Sequence, residues 1–547
     1  MAKGAGDGGR RPQGPGSGSG SGGAGGTTRL PGTSGGKPRR GGSGSGGGRG
    51  RGGSGAGAGR APGADWSRTG GVGGGQGPGQ APGQGPDQAV GRGAFRIGDR
   101  FELEIADLTH AGAGVGRHRD VAVFVPMTCP GDRAQVQVEE VRRDFVLARL
   151  MELKQASPDR VRPTCSVFGT CGGCQLQHIA YPKQLELKTE LVREALQRNG
   201  GFPEPTVLPM LGMAEPWGYR NKALFPVATR GGRIVTGFYA SGTHRIVPVD
   251  SCPVQHPTNN RIVSEARRAA TKYDLSAYDE RSGEGTLRHV LGKVAAETGQ
   301  SMAAFVTGTR VFPQEREIAR EMTNRIPGLA GVVHNVNPER TNVVLGPITR
   351  TVLGEPAIED RLEGLRFRVS AESFAQTNPA QARVLYARVL EYAALTAADT
   401  AIDAYCGVGT ITLLLARKAG KVYGIENVEA AVNDARENAR LNRITNVEFV
   451  LGDAEKALPD LVRRQVKANV LVLDPPRKGV DNHVIQAALA MGPERIVYVS
   501  CDAATMARDL GKLTAGGYAL VEVQPVDMFP HTSHVECCAL IVRQTKP

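Results

Sequence analysis

TAIDAYCGVGT, residues 400–410, reads as a short apolar strand that turns through glycines into a helix. The strand ends in DAYCGVGT (403–410), where Gly407 and Gly409 let the backbone come close to a ligand and turn into the helix. A lone GxG is as readily a tight turn as a binding loop, so the flanking sequence decides. A helix at about 377–396 precedes it and another at 408–419 follows. Then come strand KVYGIE (421–426), helix 428–442, strand VEFVLGD (447–453) and strand ANVLVLD (468–474). Helix 481–491, strand RIVYVS (495–500), helix 503–514 and strands 518–525 and 535–543 complete the run. Strands alternating with helices predict an α/β fold built on a parallel, doubly wound sheet over 366–547.

In such a sheet a ligand lies outside the carboxyl ends of the strands. After those glycines, the second strand ends in Glu426, placed where a carboxylate takes both hydroxyls of a ribose. The third ends in Asp453, suited to an adenine amino group, and the fourth in DPPRKG (474–479), where two prolines force an abrupt turn after Asp474. Each alone is an ordinary strand end; four at one edge predict a nucleoside cofactor. GxGxxG and GxxxxGK[ST] are both absent, which argues against NAD and against phosphate cradling. S-adenosylmethionine, an adenosine without phosphate, is the candidate.

The fifth strand delivers Cys501 to the same edge, just before a helix that begins near Ala503. A thiol at a helix N-terminus is expected to favour thiolate, the reactive form. The plainer alternative is a buried structural cysteine, the fate expected of Cys406, Cys537 and Cys538. HTSHVECC (531–538) adds a carboxylate, Glu536.

DAYCGVGT, DPPRKG, SCDAATMARD and HTSHVE, with SAESFAQTNPAQA (370–382) upstream, closely resemble the RNA uracil-5 methyltransferase family over about residues 96–545. The resemblance implies a Rossmann-like S-adenosylmethionine methyltransferase domain, an N-terminal OB-type barrel (TRAM) and a central α+β domain. It implies that Gln376, Tyr405, Glu426 and Asp474 contact S-adenosylmethionine, with Thr410 and Asp453 as lesser contacts. Cys501 would be the nucleophile and Glu536 the base. Tyr219, Arg220 and Asn221 in WGYRNKALFPV, which the family shares, are candidates for RNA contacts, with domain packing as the alternative. Ala503 departs from the family, where proline usually follows the Cys-Asp pair.

Upstream, FELEIADL, GVGRH, VAVFVP, AQVQVEEV and FVLARLME within 93–153 are five strand-like runs that predict a small OB-type barrel, a β-sandwich fragment being the alternative. Residues 154–365 predict an α+β domain with an antiparallel sheet: a helix at Gln184–Arg198, helical SEARRAATKYD and QEREIAREMTNRI, and strands that include GVVHNVN and TNVVLG. Within it, Cys165-x5-Cys171-x2-Cys174, completed by Cys252, suits an iron–sulfur cluster or zinc. Spacing favours a 4Fe–4S cluster, because zinc knuckles come in pairs and here one ligand arrives singly. The resemblance strengthens that expectation, since the 23S rRNA-acting branch of the family carries such a cluster.

Residues 1–92 hold 38 of the 75 glycines, with 12 Lys/Arg against 3 Asp/Glu, a net +9 of the chain's +13. So little apolar surface cannot offset chain entropy, and the tail is expected to be disordered, making loose phosphate contacts or serving only as a solubilising segment. Nine cysteines in 547 residues, clustered rather than scattered, fit a reducing, cytoplasmic setting. The function expected is 5-methyluridine formation in RNA. The 23S rRNA is the favoured target, the tRNA T-loop the alternative, and a non-catalytic RNA-binding assembly factor a third reading.

Overall fold

A computed structural model describes residues 95–340, 343–373 and 375–544; the expected disordered tail lies outside them. The catalytic strands are β1 (Thr400–Asp403), β2 (Lys421–Glu426), β3 (Val447–Leu451), β4 (Val470–Leu473), β5 (Arg495–Ser500), β6 (Tyr518–Val526) and β7 (Glu536–Arg543). They form one sheet in the order β3-β2-β1-β4-β5-β7-β6. Alternate residues feed two cores. Leu471, Leu473, Ile496 and Tyr498 face one; Val470, Val472, Val497 and Val499 face the other. Both faces are covered, which is why these strands read as continuous apolar runs.

The sheet differs from the expected all-parallel one at its edge. β7 pairs antiparallel with both β5 and β6, because no helix separates β6 from β7 to carry a parallel crossover. A helix, Ala454–Arg463, also stands between β3 and β4, where none was expected. Pro459 lies inside it and obscured the helical pattern. The polar helix Tyr181–Gly200 sends Val192 and Leu196 into the catalytic core, and residues 207–211 add parallel bridges alongside β6. A segment upstream of residue 365 thus completes the catalytic layer.

The central sheet has seven strands in the order 348–354, 329–336, 301–307, 287–294, 222–230, 233–239 and 246–248. It is antiparallel except for one parallel pair, 301–307 with 329–336, joined through helix Glu315–Arg325. TNVVLG does not form the expected strand in its described part. Asn337 and Asn335 take up the backbone of residues 343–346 with their side-chain amides, and the strand starts only at Ile348. The amino-terminal sheet has six strands, FELEIADL splitting into Arg100–Glu104 and Asp107–Leu108. Among the described residues no helix is long and apolar enough to cross a membrane.

Candidate active site and the four-cysteine pocket

The strand ends gather acids. Asp403 is fully buried, and its Oδ2 accepts a hydrogen bond from Thr412 Oγ1 at 2.7 Å. Burial, reinforced by Glu426, pushes its carboxyl up to about 6. The chain then turns through Gly407 and Gly409, at φ +53° and +85°, and Gly409 caps the helix that starts at Thr410. A β-carbon at Gly407 would meet nothing, so the left-handed backbone alone calls for glycine there and the space in front of it is open.

Glu426 ties this turn to the end of β2. Its carboxylate accepts from Gly407 N at 3.1 Å and Val428 N at 2.8 Å, leaving lone pairs for further donors. Asp453 is half-exposed and accepts from Asn427 Nδ2 (3.2 Å) and Lys456 Nζ (3.1 Å), which hold its carboxyl below the usual range. Tyr405, just past the end of β1, packs partly buried against the core. Gln376 lies beside the buried Tyr386 hydroxyl, which faces Asp474, Glu536 and Asp403.

Asp474 follows β4, and burial with Asp403 nearby pushes its carboxyl up to about 7. It has no hydrogen bond or ion pair among the described residues. A half-buried carboxyl without a cationic partner at the edge where the strands end fits a ligand that brings its own positive charge, as the sulfonium and ammonium of S-adenosylmethionine do.

Cys501 and Glu536 meet at the next step along this edge. Ser500 and Cys537 are paired in register across β5 and β7, which puts the thiol and the carboxyl at the two strand ends beside each other. Asp502 caps the following helix, its Oδ1 accepting from Thr505 N at 2.9 Å. The expected ready thiolate is not the resting balance. Burial first, then Glu536, pushes the Cys501 thiol up, and Arg477 opposes them by charge and hydrogen bond. Glu536 is itself 5% exposed, and burial with Asp474 pushes its carboxyl well above the usual range, again opposed by Arg477. Asp403, Tyr386 and Arg477 were missed as site residues in the sequence. The first and third lay inside quoted motifs, whereas Tyr386 looked like any core position on helix Pro379–Ala393.

Glu536 is reached through residues 527–535, a strap between β6 and β7. Lys188 and Asp527 form a fully buried ion pair at 2.7 Å, and Lys188 Nζ also donates to Phe529 O. Tyr181 donates to Asp527 Oδ2 at 2.8 Å. His531 holds a left-handed φ of +66° and stacks on Trp217 at 3.7 Å. Tyr219 is packed, 6% exposed, and donates to Pro530 O at 2.9 Å, while Arg220 lies over the Phe529 ring and Asn221 is buried. For Tyr219 and Asn221 the packing alternative therefore holds in this structure.

Cys165, Cys171, Cys174 and Cys252 line one cavity with Val167, Phe168 and Arg220. All four are free thiols. Gly173 N points at Cys171 Sγ (3.4 Å), and Gln255 N donates to Cys252 O (3.1 Å) in the turn that follows the fourth cysteine. Burial pushes Cys174 up to about 11, with Arg220 opposing. Among the described residues no three His, Cys, Asp or Glu side chains form a set able to hold a metal ion, so the thiols surround a space rather than converge on a point. Four soft donors around one cavity, met by the Gly173 N–H and the Arg220 side chain, suit a thiolate-bound group with net negative charge.

Comparison with known proteins places this geometry. The tRNA (uracil-5-)-methyltransferase family profile matches residues 350–544, and the TRAM domain profile matches residues 94–151. A Bacillus cereus protein called an uncharacterized RNA methyltransferase is 47% identical over 445 residues, 81% of this chain and 97% of that protein. A similarly named protein from Caldanaerobacter subterraneus is 44% identical, over 82% of this chain and 99% of its own. Among solved structures, the Pyrococcus abyssi tRNA (uracil-54, C5)-methyltransferase in complex with S-adenosyl-L-homocysteine is similar at a TM-score of 0.65 and 28% identity, covering 81% of this chain and 100% of that one. The strand-end acids, the fold and these relatives agree on an enzyme that uses S-adenosylmethionine. The chain belongs to the tRNA (uracil-5-)-methyltransferase family of RNA methyltransferases, with a TRAM domain ahead of the catalytic one.

Proposed function

We propose that this enzyme methylates C5 of a uridine in 23S rRNA through a covalent adduct on Cys501, with Glu536 as the base. The observation that carries the reading is the juxtaposition of Cys501, Glu536 and Arg477 beside the unpaired Asp474. C5 of uracil is a poor nucleophile. Cys501 sulfur adds to C6 as its thiolate, favoured by Arg477, and the ring's electron pair moves onto C5 and O4. C5 then takes the methyl group of S-adenosylmethionine, leaving S-adenosylhomocysteine. Glu536 Oε accepts the hydrogen on C5, the C5=C6 bond re-forms, and the sulfur is expelled. A carboxyl whose proton affinity burial raises suits this role, since in its ionised form it is a stronger base than an exposed one. The uridine must leave its stack to reach the pocket, at a cost of roughly a few kcal/mol.

Gln376, Tyr405, Thr410, Glu426, Asp453 and Asp474 are proposed to hold S-adenosylmethionine. Glu426 would take the ribose, Asp453 the adenine amino group and Asp474 the positive end. Cys165, Cys171, Cys174 and Cys252 are proposed to hold a 4Fe–4S cluster, which when bound cross-links segments with little apolar core of their own. The cavity they share and the Gly173 N–H aimed at the Cys171 sulfur support that assignment.

The tRNA T-loop is the second reading. The Pyrococcus abyssi protein, whose title names a tRNA uracil-54 activity, is similar over 81% of this chain, so an N-terminal barrel by itself does not select rRNA. The test is to incubate 23S rRNA and tRNA from cells lacking the enzyme with it and S-adenosylmethionine, then to map 5-methyluridine by mass spectrometry. A single rRNA site filled by wild type and not by Cys501→Ala supports the proposal. Methyl groups appearing only in tRNA move the substrate, and none at C5 of uridine in either RNA overturns the chemistry.

A further inference from the structure

Gln175, the residue after Cys174, joins the cysteine loop to the strap that carries Glu536. Its Nε2 donates to Gly172 O at 2.9 Å inside the loop, and its Oε1 accepts from Ser533 N at 3.3 Å on the strap. Its backbone N–H and that of Leu176 both donate to His531 O, at 3.1 and 3.0 Å. Gln184 adds a bond from Nε2 to His531 Nδ1 (3.3 Å) and accepts from His531 N (3.1 Å). The packing is close, since a β-carbon at Gly112 would fall 2.8 Å from Gln175 Cβ and 3.3 Å from Ser533 Cβ. Three residues past Ser533 the strap delivers Glu536. Among the described residues, the strap's tertiary hydrogen bonds between Pro530 and His534 go to Gln175, Leu176, Gln184 and Tyr219, and His531 also stacks on Trp217, so the cysteine loop supplies the bonds nearest Glu536 rather than all of them.

We propose that Gln175 is a positioning residue through which an intact four-cysteine centre holds Glu536 over the reacting carbon, so that opening the centre stalls the reaction after methyl transfer. This rests on the Cys501–Glu536 reading and adds a selective coupling to it. Cys501 follows β5, which is held by its own strand pairing, and precedes the Asp502 cap, whose carboxylate accepts from Thr505 N rather than from the strap, so nucleophilic addition stays available while hydrogen removal fails. An enzyme whose centre is lost would remain fastened to its RNA by the unbroken sulfur–C6 bond.

The test compares two RNAs. RNA containing 5-fluorouridine reports addition and methylation without the base, because fluorine cannot leave as a proton; ordinary RNA reports the whole cycle. Gln175→Ala in the full, anaerobically prepared chain is expected to trap fluorinated RNA within about twofold of wild type while losing about tenfold to a hundredfold of turnover on ordinary RNA. Methylated ordinary RNA should then persist as an adduct on denaturing gels. Gln175→Glu, which keeps the acceptor for Ser533 N, should recover part of the loss. Hydrogen exchange across 527–536 should quicken in Gln175→Ala, and equally in wild type after iron is chelated. Parallel loss of both reactions, or unchanged strap exchange after chelation, overturns the coupling. Failure of wild type itself to trap fluorinated RNA sinks the underlying chemistry, and the coupling with it.

Discussion

Cys501 and Glu536 stand at the ends of two neighbouring antiparallel strands, with Ser500 and Cys537 paired in register directly beneath them. Burial and then the carboxyl raise the thiol, burial and Asp474 raise the carboxyl, and Arg477 opposes both shifts, so the two groups that act at different steps are tuned by the same guanidinium. Glu536→Gln separates those steps. It is expected to form the methylated adduct and release it about 10²- to 10⁴-fold more slowly. Denaturing gels with ordinary RNA and labelled methyl donor check this, and rapid turnover would remove Glu536 as the base.

The strand-end acids predict how donor binding responds to pH. Asp474 is pushed up to about 7 and Asp403 to about 6, so both lose protons as pH rises across that range. A sulfonium gains from those charges and a neutral thioether gains far less. The affinity for S-adenosylmethionine relative to S-adenosylhomocysteine is therefore expected to increase between pH 5.5 and 8, by calorimetry. Asp474→Asn should flatten that ratio.

The same raised carboxyl costs stability in the ligand-free protein. A folded-state pKa above the unfolded value gives a contribution fully present below the unfolded pKa, near 4, and lost as pH rises through about 7. Asp474→Asn is expected to leave the melting temperature unchanged near pH 4 and raise it at pH 8. An equal gap at both pH values would show that the carboxyl is not ionising against a penalty.

Lys188 and Asp527 anchor the strap from beneath, both fully buried. Lys188→Met leaves Asp527 a buried charge without its cation and is expected to cost about 3–5 kcal/mol in urea unfolding. Lys188→Met with Asp527→Asn should recover most of that loss. Additive losses in the double variant would deny the pairing.

Much of this was legible because the catalytic strands alternate cleanly with helices and end in acids. Glu426, Asp453 and Asp474 could be read off strand ends without coordinates, whereas Asp403 passed as part of the glycine turn. The antiparallel edge was less visible, since two adjacent strand patterns fix no direction until the missing crossover helix is noticed. Pro459 hid a helix, and the split at Ile105–Ala106 hid a sixth barrel strand. The thiolate expectation for Cys501 rested on the helix start alone; burial and Glu536, distant in sequence, reverse the balance. Tyr219 read as an RNA platform because its contact, Pro530, lies 311 residues away.

The most direct measurement is a denaturing gel of wild type and Cys501→Ala, each incubated with S-adenosylmethionine and 5-fluorouridine-substituted RNA. Wild type should run as a slow, heat-stable protein–RNA band carrying the labelled methyl group, and the alanine variant should show none. A band of equal strength from the variant would mean that the sulfur at position 501 is not what attacks the ring.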